Sequence, residues 1–251
     1  MRNIPVFFRF STPLPLTVRF PELAILFAVV LFSLPISPVC ATSYCISKAE
    51  SAKIRATELG IYASQGYVVA RLLQQEKLNH QKILILVDKE YEGAVRFQSL
   101  IQMLLDCGIP QANLVFDPVL APSPLSGPDG QRTNPSMPMR MRMTAEDFDR
   151  AVQRHSDCTV VITLFGIPLK DGREISFLRK AYDPAAPQLI MMGAITDHDL
   201  IRDGLQNGNI FAVVIPREDA NYEVTELPLT QEEIFRLRYR LITKANAAEL
   251  Q

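Results

Sequence analysis

Three histidines, His80, His155 and His198, are the side chains of this chain able to carry a proton near neutral pH. His80 precedes an apolar run, on the side of a parallel sheet away from the usual site. His155 closes a helical pattern, where the helix dipole favours a cation. His198 stands in Thr196-Asp197-His198-Asp199, directly after another apolar run. Asp197 is placed there to cap the next helix. The competing reading gives His198 and its aspartates an acid–base or metal role. A second polar stretch is Asp88-Lys89-Glu90-Tyr91-Glu92-Gly93, between an apolar run and a helix. Its acids suit the positive end of a helix without any function, and they could equally hydrogen-bond a polar ligand such as a sugar. Asp88, Lys89, Glu90 and Asp197 are therefore candidate ligand-binding residues.

Other chemistries lack a handle. The sequence has no GxSxG elbow, no GxGxxG turn and no Walker A loop. Its four cysteines, Cys40, Cys45, Cys107 and Cys158, form no CxxC pair, and no histidine lies at metal-ligand spacing. No metal and no cofactor is expected. Cys107 and Cys158 border apolar patterns and read as buried thiols rather than a bridge.

The formal charge of −1 is evenly spread, with two short basic runs at Arg140–Arg142 and Arg236–Arg240. Phosphate neutralisation needs a concentrated basic face, so no nucleic-acid partner is expected.

Residues 23–36, LAILFAVVLFSLPI, are apolar on every face and preceded by Arg2, Arg9 and Arg19. The run has the length of a signal-peptide core and is short for a bilayer-spanning helix. Pro35 and Pro38 break it, and Val39-Cys40-Ala41 offers small residues for cleavage after Ala41. Residues 1–41 thus read as a signal peptide or, uncleaved, a membrane anchor. Lipidation of Cys40 and a cytoplasmic core helix are the lesser alternatives. The expected location is periplasm or cell envelope, with membrane contact through residues 23–36 only if they are retained.

Residues 42–78 form a helical segment, with Ile54, Leu59, Ile61, Val68, Val69, Leu72 and Leu73 at spacings of three and four; Gly60 and Gly66 divide it. Residues 79–216 then alternate between strands and helices. The strands are KILILVD (82–88), NLVFD (113–117), TVVITL (159–164), QLIMM (188–192) and IFAVVI (210–215). The helices cover about 94–107, 144–154, 175–182 and 197–206, the second opening with Thr144 and Asp147 in a capping pattern. Continuous apolar strands joined by helices specify a parallel sheet covered on both faces. The expected fold is α/β, a three-layer Rossmann-like sheet of about five strands in order 2-1-3-4-5, as a single lobe. Residues 118–143, rich in Pro, Ser, Gly and Met, read as a long flexible loop, with a lid as the alternative. In the tail, 217–251, the alternation over 235–243 suggests a strand, while Thr230 with Glu233 suggests a helix start.

This order of pieces resembles a family. Residues 60–250 resemble the C-terminal lobe of type I periplasmic, sugar-binding proteins. The resemblance rests on GYVVARLLQQEKLNHQKILILVDKE (66–90), DFDRAVQRHSDCTVVIT (147–163), QLIMMGAITDHDLIRDGLQNGNIFAVVIP (188–216) and LITKANAAEL (241–250). Arg96-Phe97-Gln98-Ser99-Leu100 stands where the family often has Arg-x-x-Gly-Phe, so the resemblance makes Arg96 a ligand contact; read alone, Arg96 is a helix-surface ion-pair residue. The family's sugar-binding aspartates are replaced by Phe165-Gly166-Ile167-Pro168 and Gly193-Ala194-Ile195, there is no tryptophan, and a second lobe is missing. The resemblance implies a non-catalytic exported module taking a small polar, sugar-like ligand or an envelope protein partner. The alternatives are an exported hydrolase using Asp88, Glu90 or His198, and a membrane-anchored subunit of an envelope complex.

Overall fold

Short runs of Ile, Leu and Val with no polar interruption have no wet face, so they settle in the middle of a sheet. In the computed structural model, which describes residues 47–88, 94–119, 137–179, 183, 185–193, 195–224 and 226–250, these runs form one six-stranded sheet. Its strands are β1 (Ile83–Leu86), β2 (Leu114–Asp117), β3 (Val160–Thr163), β4 (Gln188–Met192), β5 (Ile210–Pro216) and β6 (Tyr239–Thr243). The order is β2-β1-β3-β4-β5-β6. The first five are parallel, and β6 adds antiparallel to β5, pairing Pro216 with Tyr239 and Ala212 with Thr243. The expected Rossmann-like order is therefore found, extended by one strand.

Helices cover both faces. One face carries α1 (Lys48–Gln75), α2 (Val95–Asp106) and α7 (Gln231–Arg236). Their buried Val69, Leu73, Leu100, Leu104 and Phe235 pack on Ile83, Ile85, Val160 and Ile162. The other carries α3 (Met139–Arg142), α4 (Ala145–Arg154), α5 (Ser176–Arg179) and α6 (His198–Asn207). There Phe148, Ala151, Ile201 and Leu205 meet Leu84, Leu86, Val161 and Leu189. Alternate residues of one strand thus serve two cores, as the period of two requires.

Three expectations change. First, Gly60 and Gly66 do not divide the first helix; α1 runs unbroken through both. They are points of close approach. A Cβ on Gly66 would lie 2.4 Å from the Leu100 carbonyl oxygen of α2, while one on Gly60 would meet only the Leu227 side chain. Gly66→Ala is accordingly expected to cost about 1–2 kcal/mol despite alanine's better helix propensity. Gly60→Ala, whose neighbour can swing away, should be near neutral; urea unfolding of both variants checks this. Second, the end of the 118–143 connection is packed: Met139 and Met143 are each 3% exposed in the core. Residues 120–136 lie outside the described residues. Third, the tail holds both expected elements in succession. Thr230 and Glu233 form a capping box opening α7, and the alternation after it becomes β6.

Cys107 is half-buried and Cys158 buried, both as free thiols whose pKa burial raises. Cys40, Cys45 and the whole 1–41 segment lie outside the described residues. Among the described residues no helix is long and apolar enough to cross a membrane.

Candidate functional site

The strand order reverses direction between β1 and β3: α2 leaves β1 on one face, and α5 leaves β3 on the other. Chains diverging in this way leave a crevice outside the carboxyl ends of the two strands. The residues at its lips are Asp88, which follows β1, and the turn 163–168, which closes β3.

Asp88 is half-exposed. It accepts two hydrogen bonds from Arg142 Nη2, at 3.1 and 3.3 Å. Arg142 is itself held by Nε donating to the Met137 carbonyl at 2.8 Å, and its side chain is 17% exposed. The carboxylate is thus aligned by a fixed guanidinium while part of it still faces water. The β3 lip is apolar. Buried Thr163 donates its hydroxyl to the Gly166 carbonyl at 2.6 Å, closing a turn in which Gly166 takes φ +82°. Phe165 and Ile167 of that turn pack down onto the core.

Arg96 lies on the first turn of α2, on the other face from Arg142. Its guanidinium stands 5.9 Å from the centre of the Tyr62 ring of α1. Among the described residues no carboxylate pairs with Arg96; Glu90 and Glu92, just before the helix, lie outside them. The Ala94 N-cap of the same helix offers no side-chain hydrogen bond.

Asp197 performs the expected cap, accepting from Leu200 N at 3.0 Å. It also takes a two-pronged bond from Arg173, at 2.6 and 2.7 Å. Burial pushes its carboxyl upward. The Arg173 bond, the Leu200 N–H and the neighbouring cations outweigh that, and the net pKa falls below the ordinary value. A depressed carboxyl stabilises the fold above its unfolded pKa, about 3.9, and loses that contribution as pH falls through the folded value. Asp197→Asn, which keeps the cap, should therefore cost about 0.5–1 kcal/mol at neutral pH. The difference should vanish toward pH 2, as read by urea unfolding across a pH series.

The structure does not gather the five sequence candidates into one cluster. Asp88 leans toward α3, Arg96 toward α1, and Asp197 sits two strands away from β1 with Arg173. Lys89 and Glu90 lie outside the described residues. His198 opens α6 exposed. His155 faces Asp117, the last residue of β2, on the sheet face covered by α4. Arg142, Arg173 and Tyr62 were not legible, because each acts on a residue far away in sequence and leaves no local pattern.

No protein-family model and no curated protein matches this chain. Among solved structures it is similar to a glucose-galactose binding protein from Geobacillus stearothermophilus, at 12% identity and a TM-score of 0.42. The match covers 74% of this chain and 61% of that one, so the chain spans less than two thirds of that protein.

Proposed function

We propose that the chain is an exported, non-catalytic binding module that takes a small polar, sugar-like ligand at the carboxyl edge of its sheet. Residues 1–41 serve as its export segment. What carries the reading is the Asp88–Arg142 pair at the point where the strand order reverses. A half-exposed carboxylate fixed by a guanidinium offers acceptors and donors side by side, the combination that a hydroxyl-rich ligand needs. Arg96, in the first turn of the helix that follows β1, adds further donors, and Lys89 and Glu90 belong to the loop between Asp88 and that helix in sequence. The hydrolase reading is less well supported, because Asp88 bonds an arginine and His198 starts a helix two strands away.

A thermal-shift screen of monosaccharides and sugar acids on the full-length chain tests the proposal. A ligand at 100 times its Kd adds about 2.7 kcal/mol, or about 5–10 °C in Tm for a domain of this size. The shift should disappear in Arg96→Ala and in Asp88→Ala. A panel without any shift, or a shift that both variants retain, contradicts it.

One observation favours a second reading, an envelope protein partner. Met137, Met141 and Leu169 are 36–41% exposed at the carboxyl edge, and Ile54 is 46% exposed on α1. With 28 residues, α1 is about 42 Å long, against strands of about 13–23 Å. Glu58 already reaches the start of β6 through Arg238, so the exposed residues 48–56 stand beyond the sheet on that same side. An apolar rim beside a projecting helix suits a protein surface.

A further inference from the structure

Four of the chain's eight methionines fall in one short run, Met137, Met139, Met141 and Met143, alternating with Pro138, Arg140 and Arg142. The structure divides them by face. Met137 and Met141 are 36% and 38% exposed, while Met139 and Met143 are each 3% exposed and join the core layer of Leu86, Val119 and Phe148. Between them runs α3, a single turn, and one turn of helix has no stability of its own. Its fastenings include the two buried thioether side chains and the Arg140 carbonyl, which accepts from Leu169 N at 2.8 Å. Arg142 adds its bonds to Asp88 and to the Met137 carbonyl. Met191 and Met192 are just as covered, at 2% each, but lie on β4 with β3 and β5 hydrogen-bonded on either side.

Equal burial therefore hides unequal protection. Exposing Met139 or Met143 takes only the local opening of one turn, whereas exposing Met191 takes the opening of the sheet. A hydroperoxide distinguishes the two. The thioether lone pair attacks a peroxide oxygen, and the S–O bond forms as the O–O bond breaks. Sulfur gives up two electrons, and the other oxygen of hydrogen peroxide leaves as water. The resulting sulfoxide is a strong acceptor, to which the side chains of Leu86, Val119 and Phe148 cannot donate. We propose that Met139 and Met143 form a peroxide-sensitive latch at the carboxyl edge. Once oxidised they keep α3 out of the core, and Arg142 leaves Asp88 with it. Oxidation of Met137 and Met141 leaves the latch shut, because a sulfoxide there stays in water. The change is reversible, since sulfoxide reductases restore thioethers. As regulation of a ligand site at Asp88 the latch rests on the function proposed above. Its test reads the Asp88–Arg142 region without any ligand, so it can fail while that function stands.

The full-length chain is exposed to hydrogen peroxide for timed intervals, followed by peptide mass mapping. Met137 and Met141 should take up oxygen first, and then Met139 and Met143 at least tenfold faster than Met191 and Met192. Once Met139 and Met143 are oxidised, the Leu169 amide and the Arg142 Nε–H should exchange with solvent at least tenfold faster, as read by NMR. Met139→Leu combined with Met143→Leu, a change that conserves core volume, should abolish that acceleration. Met137→Leu combined with Met141→Leu should retain it. The proposal is overturned if Met139 and Met143 oxidise as slowly as Met191 and Met192, if their oxidation leaves both exchange rates unchanged, or if the Met139→Leu, Met143→Leu variant still shows the acceleration.

Discussion

Phe148→Ala is expected to lower the free energy of unfolding by about 3–5 kcal/mol, the range for deleting a fully buried aromatic ring. Phe148 is 0% exposed in the middle of α4 and packs among Leu84, Leu86 and Val161 on the sheet. Its ring also lies 6.2 Å from that of Phe177 on α5. Removing it empties a space bounded by strands that cannot move inward, because the same strands are packed on their other side by α1 and α2. Natural domains hold only about 5–15 kcal/mol in total, so the variant should be partly unfolded at physiological temperature. Urea denaturation with an unchanged m-value would attribute the loss to packing.

The second large effect is electrostatic and sits at the end of the same helix. Asp117 closes β2 with its side chain 6% exposed. It is held by a two-pronged bond from Arg154, with Nη2 at 2.8 Å and Nε at 3.1 Å, and by His155 Nε2 at 2.8 Å. Arg154→Met keeps the aliphatic stem and removes the charge, leaving a buried carboxylate with the imidazole as its remaining side-chain partner among the described residues. The expected cost is about 2–3 kcal/mol, below the full price of a broken buried pair because Arg154 itself is 43% exposed. Asp117→Asn combined with Arg154→Met should recover part of the loss, since neither partner then leaves a charge unpaired. A double-mutant cycle on unfolding free energy reads this directly. If Arg154→Met is neutral, the pair does not fasten β2 to α4.

Much of the fold was legible because the central strands are short, almost wholly apolar and separated by amphipathic helices. Ile83–Leu86 and Val160–Thr163 are buried at every position, and that pattern has one stable setting in a parallel sheet. The capping residues Thr144, Asp197 and Thr230 were legible for the same local reason. Length and burial, not sequence punctuation, decided the rest. Gly66 resembles a helix breaker in sequence and is a contact between two helices in space. Met139–Arg142 sits in a composition typical of linkers and still forms a helix, because Met139 and Met143 find room in the core.

The site was legible only in outline. Asp88 and Asp197 announce themselves by following strands, which places them at the carboxyl edge. Their arginine partners do not, since Arg142 and Arg173 reach them from 54 and 24 residues away. Arg96 shows the converse: a surface ion pair was the local expectation, and among the described residues the guanidinium meets an aromatic ring from α1. Under the proposed function, the Arg96 guanidinium supplies donors to a ligand at the carboxyl edge.

Amide chemical-shift mapping of the full-length chain with the best sugar or sugar acid from the thermal screen tests this account most directly. Saturable shifts at Asp88, Arg96, Arg142 and the 163–166 turn are expected, and they should be lost in Arg96→Ala. Shifts confined to another surface, or shifts that persist unchanged in Arg96→Ala, would contradict a ligand site at the carboxyl edge.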